Sequence, residues 1–323
     1  MQIVAENLSY VYGEKSKALA VRALSGVSVT VGEGDFFGII GKTGSGKSTF
    51  VQHLNGLIRV QKNGGKLLVG EFDLSDKKCD FRTLRAKVGM VFQYPEYQLF
   101  AETVAADVAF GIKNFFPNEK DETVNEKVKT ALELVGIDYE KYKDRSPFEL
   151  SGGQKRRVAI AGVIAVRPEV LVLDEPAAGL DPVGKREFVA LLKRLHESFV
   201  KTIVLVSHDM NIISENCNRA AVFSDGKIVA CGTPKEIFSD ENALKGGLER
   251  PVTAEVEKEL LSRGVALPDN DMTVAGFVKA AAELYSKPKL CEKDEIEVKT
   301  ETDAGEGLNA KTETCAEGGE GEK

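Results

Sequence analysis

The 323-residue sequence contains no tryptophan, three histidines and five widely spaced cysteines. The missing tryptophan excludes indole anchors. The cysteines are odd in number and form no Cys-x-x-Cys pair, which argues against a metal site or a disulfide framework and fits a reducing cytosol. The longest apolar run, Val158 to Val166, is far shorter than the roughly 20 residues of a membrane-spanning helix. With no signal-peptide pattern at the N-terminus, we expect a chain that itself stays outside the membrane.

Basic residues are in the minority, and the formal net charge is −7. Because nucleic-acid-binding proteins usually carry a basic footprint, this balance argues against a nucleic-acid partner. The acidic excess is concentrated in residues 287–323, which hold 11 acidic residues and six lysines. That segment has too few large apolar residues to offset the chain entropy lost on folding, so it is predicted to be a disordered tail.

Several apolar segments have the pattern of strands. Leu8 to Tyr12 and the alternating run Val27 to Val31 indicate short strands near the N-terminus. Continuous apolar runs at Phe36–Ile40, Val170–Leu173 and Thr202–Val206 are typical of strands buried on both faces. Since helical patterns separate them, we predict an α/β fold with a parallel sheet and helices on both of its faces.

Helical patterns occupy three parts of the chain. A helix is predicted from Lys47 to about Leu57, and a mainly helical stretch at about 95–165 is predicted to be an insertion into the α/β core. Residues 240–286 are predicted to form a small helical unit with two amphipathic helices, at roughly 253–263 and 273–285.

The loop after the Phe36–Ile40 strand fits the pattern G-x-x-x-x-G-K-[ST] between a strand and a helix. Glycines let backbone N–H groups face a phosphate, and the helix that follows adds the positive end of its dipole. Lys47 can reach the β- and γ-phosphates, and the Ser48 hydroxyl can hold Mg²⁺. An ordinary strand–turn–helix is the alternative. The residues assigned to this phosphate loop are Gly41, Lys42, Thr43, Gly44, Ser45, Gly46, Lys47, Ser48 and Thr49.

Two carboxylates follow the predicted strand Val170–Leu173, at the end where open α/β sheets bind ligands. Asp174 can hold Mg²⁺ through water, and Glu175 is placed to polarise an attacking water as general base. The alternative is a pair of acids that caps a helix N-terminus.

A second phosphate-binding surface is predicted at Leu150–Gln154. Ser151 makes a good N-cap, and Gly152 and Gly153 expose N–H groups at the start of a helix; an ordinary capped helix is the alternative. Because the phosphate loop has its own nucleotide, this surface needs another nucleotide or another subunit. Its residues are Ser151, Gly152, Gly153 and Gln154.

Together these motifs make residues 1 to about 239 resemble the ATP-binding-cassette ATPases. The resemblance implies a P-loop ABC ATPase fold with an antiparallel β subdomain, an inserted α-helical subdomain and a small C-terminal helical domain, and it makes Leu150–Gln154 the signature. It also implies that two chains face each other head to tail around ATP and Mg²⁺. The remaining roles that it implies are the Q-loop glutamine at Gln93, the D-loop at Gly179–Pro182, the switch histidine at His208, and adenine stacking at Tyr12 with Tyr10 as the rival.

Three segments, at 93–100, 103–111 and 153–162, look more narrowly like the ATPase subunits of energy-coupling factor transporters. Tyr97 and Phe100 especially resemble the second of the two ATPase subunits. This implies ATP-driven import of vitamins or metal ions at the cytoplasmic membrane face. The implied partners are a homologous ATPase, a transmembrane coupling subunit touching Gln93–Phe100, and a membrane substrate-binding subunit. One departure is Ala177, where the family often has Thr or Ser, and it removes no catalytic group.

Two other functions stay open. The ATPase of a conventional ABC importer or of a cobalt/nickel uptake system would work as a homodimer. A non-transport ABC protein acting on DNA or ribosomes would usually carry coiled coils, zinc insertions or two cassettes, none of which the sequence shows. The resemblance implies that the transported molecule is chosen by a membrane subunit.

Overall fold

The computed structural model describes residues 1–13, 20–241 and 248–286. The predicted acidic tail, residues 287–323, lies outside the described residues. Residues Met1–Ser286 form one compact unit. In the part of the chain that the structure describes, no helix is both long enough and apolar enough to cross a membrane.

Strands and helices alternate along the chain. The strands are β1 Ile3–Tyr12, β2 Val21–Val31, β3 Phe36–Gly41, β4 Lys66–Val69, β5 Phe72–Asp73, β6 Val88–Val91, β7 Val170–Asp174, β8 Thr202–Val206, β9 Arg219–Ser224 and β10 Lys227–Gly232. The helices are α1 Lys47–Leu54, α2 Phe81–Lys87, α3 Val104–Phe115, α4 Asp121–Leu134, α5 Tyr139–Tyr142, α6 Gly152–Ile164, α7 Pro182–Ser198, α8 Met210–Asn216 and α9 Pro234–Ser239, followed by the C-terminal helices Val252–Ser262 and Val274–Ser286. Short 3-10 helices lie at Pro95–Gln98 and Pro147–Glu149.

The central sheet has six strands in the order β10-β9-β3-β8-β7-β6. Strand β3 is parallel to β8 and β9, and β7 is parallel to β6 and β8, whereas β10 pairs antiparallel with β9. Strands β3, β7 and β8 are buried along their whole length. The predicted α/β fold is therefore confirmed, and the carboxyl ends of β3, β7 and β8 meet at one edge of the sheet.

Successive side chains of β3 pack in two separate hydrophobic cores, since neighbouring side chains on a strand point to opposite faces. Phe37 and Ile39 pack in a cluster with residues of β1, β2 and α1. Phe36 and Ile40 pack on the other face in a cluster with residues of α3, α6 and α7. The sheet is thus covered on both faces, which is why its strands are continuously apolar.

A four-stranded antiparallel sheet in the order β2-β1-β4-β5 covers one of those faces. The sequence predicted short pieces in this region, but β1 runs without a break from Ile3 to Tyr12. The reason is a bulge: its register against β2 shifts between Ala5 and Leu8, and Asn7 lies in the left-handed region with φ of 52°. A bulge of this kind interrupts the alternation of side chains without ending the strand.

The predicted helix after the phosphate loop ends earlier than expected, at Leu54 rather than about Leu57. Gly56 has φ of 67° and donates its N–H to the carbonyl of His53 at 2.9 Å, which closes the last turn. A left-handed glycine just past a helix is a common stop.

Helices α3 to α6 lie within the stretch 95–165 that was predicted to be helical, and the two C-terminal helices lie within one residue of their predicted bounds. Helices α3, α4 and α6 contact each other, and α6 also contacts β6. The first C-terminal helix starts where the N–H of Val252 donates to the side chain of Asn211 at 3.0 Å. The second starts where the N–H of Val274 donates to Glu215 at 2.6 Å. Both hydrogen bonds tie the C-terminal helices to α8.

Two glycines of the phosphate loop make a matched test of how the loop is packed. Both have positive φ, 145° at Gly41 and 82° at Gly44, so an alanine strains the backbone at either place. A Cβ on Gly41 would lie 2.2 Å from the carbonyl oxygen of Phe223, whereas a Cβ on Gly44 would meet nothing within 4 Å. We expect Gly41→Ala to lower the free energy of unfolding by about 1–3 kcal/mol more than Gly44→Ala, the usual cost of overpacking. Urea unfolding of the two variants measures the difference, and equal losses would contradict the packing shown.

Candidate active site

The phosphate loop connects β3 to α1 at the carboxyl edge of the central sheet. Its N-cap, Gly46, has φ of 102° and has no side chain to accept from the first N–H groups of α1, which leaves them open to a ligand. The Ser45 hydroxyl is buried and has no hydrogen-bond partner among the described residues. An unpaired buried hydroxyl in a glycine-rich turn fits a loop that completes its hydrogen bonds with a phosphate.

Lys47 is held inside this loop by its own backbone. Its Nζ donates to the carbonyl oxygens of Gly41 at 2.7 Å and Lys42 at 2.9 Å, and only 4% of the residue is exposed. Burial lowers the pKa of Lys47, while the nearby carboxylates of Glu175 and Asp174 raise it. The ammonium is therefore fixed and poorly solvated, and a phosphate oxygen would be a favourable further partner.

Asp174 ends β7 and faces the start of α1. Its Oδ1 accepts a hydrogen bond from the Ser48 hydroxyl at 3.2 Å, which places the two predicted Mg²⁺ ligands side by side. Burial raises the pKa of Asp174, and the Ser48 hydrogen bond and the Lys47 charge act in the opposite direction. A cation near this carboxylate would offset the cost of keeping it charged at low solvation.

Glu175 is the point where three separately predicted residues meet. Its Oε2 accepts a hydrogen bond from Nε2 of Gln93 at 3.3 Å, and its Oε1 lies 2.5 Å from Nε2 of His208. The backbone of Glu175 is left-handed, with φ of 50°, and its N–H donates to the carbonyl of Val206 at 3.1 Å. A non-glycine residue in this conformation costs about 1–3 kcal/mol and persists only where its surroundings hold it. The strain marks a carboxylate held in one orientation.

The loop that carries His208 is fixed by an ion pair that sequence reasoning missed. Asp209 accepts from the N–H groups of Asn211 and Ile212 at the start of α8, and Lys185 of α7 donates to its Oδ2 at 2.8 Å. Burial raises the pKa of Asp209, but the hydrogen bond and the charge of Lys185 outweigh it and hold that pKa below its usual value. Asp209 was recognisable from sequence only as a helix cap, and nothing local marks Lys185 as its partner.

The signature residues lie in the inserted helical segment, and their hydrogen bonds stay there. Ser151 and Gln154 form a capping box at the start of α6, and Nε2 of Gln154 also donates to the Tyr142 hydroxyl at 3.0 Å. Gly152 and Gly153 are exposed, and a Cβ on either would meet nothing within 4 Å. The structure thus makes Ser151–Gln154 a rigid helix start with an open face, without hydrogen bonds from these residues to the phosphate loop.

The side chain of Tyr12 reaches the helix that follows the phosphate loop. Its hydroxyl is 3.3 Å from Oγ1 of Thr49 on α1, and 41% of the residue is exposed. Tyr10 lies edge-on between Tyr12, at 4.8 Å, and the buried His53, at 5.0 Å. Because the rings on both sides limit access to Tyr10, Tyr12 is the better candidate for stacking on a base.

A second residue missed at the sequence level is Arg156. It is buried and donates to the carbonyl oxygens of Gln93 at 3.1 Å and Ala178 at 3.0 Å. The signal was its position on α6, on the same helical stripe as the buried Ile160 and Ile164. A basic residue on a buried stripe is rare unless it is paired.

Comparisons with known proteins place this chain in a family. The family model described as ABC transporter matches residues 24–178. The energy-coupling factor transporter ATP-binding protein EcfA2 of Clostridium tetani (strain Massachusetts / E88) is 43% identical over 287 residues, which cover 88% of this chain and 98% of that protein. The EcfA2 protein of Caldanaerobacter subterraneus subsp. tengcongensis is 47% identical over 275 residues, which cover 85% of this chain and 94% of that protein.

Solved structures agree with the sequence relatives. That of cbiO1 from Clostridium perfringens, described as part of the ABC transporter complex cbiONQ, has a TM-score of 0.65 and 35% identity, covering 81% of this chain and 96% of that chain. The dimeric post-hydrolysis structure of the ATP-binding cassette MJ0796, bound to ADP and Pi, has a TM-score of 0.63 and 28% identity, covering 72% and 98%. The chain belongs to the ABC transporter family and, within it, to the ATP-binding proteins of energy-coupling factor transporters. Its activity is the binding and hydrolysis of ATP.

The anchored ammonium of Lys47 gives a direct binding test. A charge-assisted hydrogen bond is worth about 1.5–3 kcal/mol, so we expect Lys47→Ala to weaken ATP binding at least about tenfold. Titration with a fluorescent ATP analogue measures the affinity. Lys66→Ala on strand β4, which removes an exposed lysine, is the control and should bind as the wild type does. Wild-type affinity in a folded Lys47→Ala protein would contradict the assignment.

Proposed function

We propose that this chain is the ATPase subunit that works at the cytoplasmic membrane face of an energy-coupling factor transporter importing a vitamin or a metal ion. It pairs with a homologous ATPase and binds a transmembrane coupling subunit, which joins it to a membrane substrate-binding subunit. One observation carries the proposal. Gln93 contacts Glu175, and a surface of exposed aromatic residues follows Gln93 along the chain. The names of the EcfA2 relatives support it.

In this proposal the phosphate loop and Tyr12 bind ATP, with Lys47 neutralising the β- and γ-phosphates. Ser48 and Asp174 would hold Mg²⁺, with Gln93 as a further ligand. Mg²⁺ usually binds through one or two protein groups and the phosphates of its substrate and keeps several waters, so phosphate oxygens and water would supply the remaining ligands. The ion, when bound, would offset the phosphate charge.

Glu175 is the proposed general base. Its carboxylate is held from one side by Gln93 and from the other by His208, so it keeps one orientation towards the water that it deprotonates. His208 and Gln93 are placed to orient that carboxylate and the water, and His208 remains about half exposed. Placing the base in advance removes the entropic cost of finding the reactive geometry during the reaction.

The signature explains why two chains are needed. Ser151–Gln154 present open glycine N–H groups at the start of α6, yet their hydrogen bonds lie within the helical segment. We therefore propose that the signature faces a nucleotide held by the phosphate loop of a partner ATPase. The dimeric form of the MJ0796 cassette supports this arrangement.

The aromatic surface comprises Tyr94, Tyr97, Phe100 and Phe110. Their exposed fractions are 46%, 83%, 58% and 50%, and their rings pair as Tyr94–Tyr97 and Phe100–Phe110, with centroids 6.0 and 4.7 Å apart. Asp107 fixes the segment by accepting from the N–H groups of Phe100 and Ala101 at 2.8 and 2.9 Å. Clustered exposed aromatics mark interaction sites, and we assign this one to the coupling subunit.

The segment Gln93–Phe100 holds both core and exposed apolar side chains. Leu99 is only 6% exposed and belongs to the core, whereas Tyr97 and Phe100 point to solvent. Truncating Tyr97 should therefore affect a partner more than the fold.

A second candidate is a homodimeric ATPase of an importer built like the cbiONQ complex. The likeness to cbiO1 favours it. The two candidates differ in whether a second, homologous ATPase accompanies this chain.

Tyr97→Ala tests the partner surface. An interface aromatic of this kind is worth about 2 kcal/mol or more, so we expect at least about a tenfold loss of bound membrane partner with ATP binding unchanged. The tagged chain is expressed in its own host, membranes are solubilised, and co-purified proteins are quantified by mass spectrometry. Tyr285→Ala, which removes a tyrosine that is 96% exposed on the last helix, is the matched control.

The same purification separates the two candidates. A homologous ATPase recovered with the wild-type chain supports the heterodimer, and recovery of this chain alone with membrane proteins supports the homodimer. Normal partner recovery by Tyr97→Ala would contradict the assignment of the aromatic surface.

A further inference from the structure

Arg156 connects three parts of the molecule through one buried side chain. It belongs to α6, is 6% exposed, and donates through Nη2 to the carbonyl of Gln93 and through Nη1 to the carbonyl of Ala178. The first acceptor lies just after β6 and the second just after β7. A planar guanidinium suits this task, because its donors are fixed in a fork that can satisfy two acceptors at once.

Both acceptors lead to Glu175. The side chain of Gln93 donates to Oε2 of Glu175 at 3.3 Å, and the N–H of Ala178 donates to the carbonyl oxygen of Glu175 at 3.2 Å. The hydrogen bonds therefore close a ring that runs from Arg156 through Gln93 to the Glu175 side chain and returns through the Glu175 backbone and Ala178. A movement of α6 would therefore act on Glu175 through both its side chain and its backbone.

Arg156 also lies beside the segment that bears the aromatic surface. Burial lowers the pKa of Arg156, and the charge of Glu96, in the 3-10 helix Pro95–Gln98, raises it. Oε2 of Glu96 is buried without a hydrogen-bond partner among the described residues. The carboxylate of Glu96, next to Tyr97, thus offsets part of the cost of burying the charge of Arg156.

We propose that Arg156 is a positioning residue that sets the orientation of Gln93 and Glu175 according to the position of α6, the helix that the signature begins. The inference rests on the proposed role of Glu175 as base. Arg156 touches neither the phosphate loop nor the signature residues through these bonds, so its loss should slow hydrolysis and leave ATP binding intact.

The test compares Arg156→Gln and Arg156→Lys with Arg157→Gln in the purified transporter complex. Arg157 is the matched control because it is the next residue of α6, and its guanidinium pairs with Glu187 at the surface at 2.8 Å. We expect kcat to fall by about 10–100-fold in Arg156→Gln with KM for ATP changed less than threefold. Arg156→Lys should recover little, since a single ammonium does not reproduce the fork. Arg157→Gln should retain wild-type kcat.

A double-mutant cycle separates positioning from general damage. If Arg156 acts through Gln93, the fold decrease in kcat of the double variant Arg156→Gln/Gln93→Ala will be smaller than the product of the fold decreases of the two single variants. If Arg156→Gln does not fold because the charge of Glu96 is left unpaired, the double variant Arg156→Gln/Glu96→Gln, which lacks the charge of Glu96, replaces Arg156→Gln in the test.

Unchanged kcat in a folded Arg156 variant, a rise in KM alone, or effects that multiply in the cycle would each overturn the positioning role. Failure of this inference differs from failure of the proposed function. In the first case Glu175→Gln is inactive while Arg156→Gln is normal, and in the second case Glu175→Gln itself hydrolyses ATP normally.

Discussion

The candidate active site is arranged around one carboxylate, that of Glu175, held between Gln93 and His208 at the carboxyl edge of a parallel sheet. The carboxylate reaches that position because β7 ends there and because its residue adopts a left-handed backbone that the carbonyl of Val206 helps to hold. Because the parallel strands β3, β7 and β8 end at the same edge of the sheet, residues that are far apart in sequence lie next to each other there.

Without a ligand, it costs free energy to keep Lys47 and Asp174 ionised at this edge of the sheet. Burial lowers the pKa of Lys47 and raises the pKa of Asp174, so each ionised form is disfavoured by the loss of water around it. Each is partly compensated by the other and by a hydrogen bond, to backbone carbonyls for Lys47 and from Ser48 for Asp174. A bound phosphate, and the divalent cation of the proposed function, would supply the missing partners, so ligand binding should stabilise the fold by mass action.

Residue patterns were sufficient for the parts of the molecule governed by local rules. The phosphate loop, the buried strands and the signature helix start each need particular residues at fixed spacing, and those residues stand side by side in the sequence. The bulge at Asn7, the division of Leu99 from Tyr97 and the fork of Arg156 could not be predicted, because each depends on a partner distant in sequence. The roles of Gln93 and His208 beside Glu175 were implied only by resemblance, and one hydrogen bond across 82 residues joins Gln93 to Glu175. The catalytic roles of these three residues stay predictions.

The most direct test of this account is single-turnover ATP hydrolysis by the assembled complex carrying Glu175→Gln. The amide keeps the shape of the side chain but cannot accept the proton, and loss of a general base typically costs about 10²–10⁴-fold in rate. We predict a fall in that range with ATP affinity retained. Hydrolysis within a factor of about two of wild type would show that Glu175 is not the base, and the role assigned to its two neighbours would fall with it.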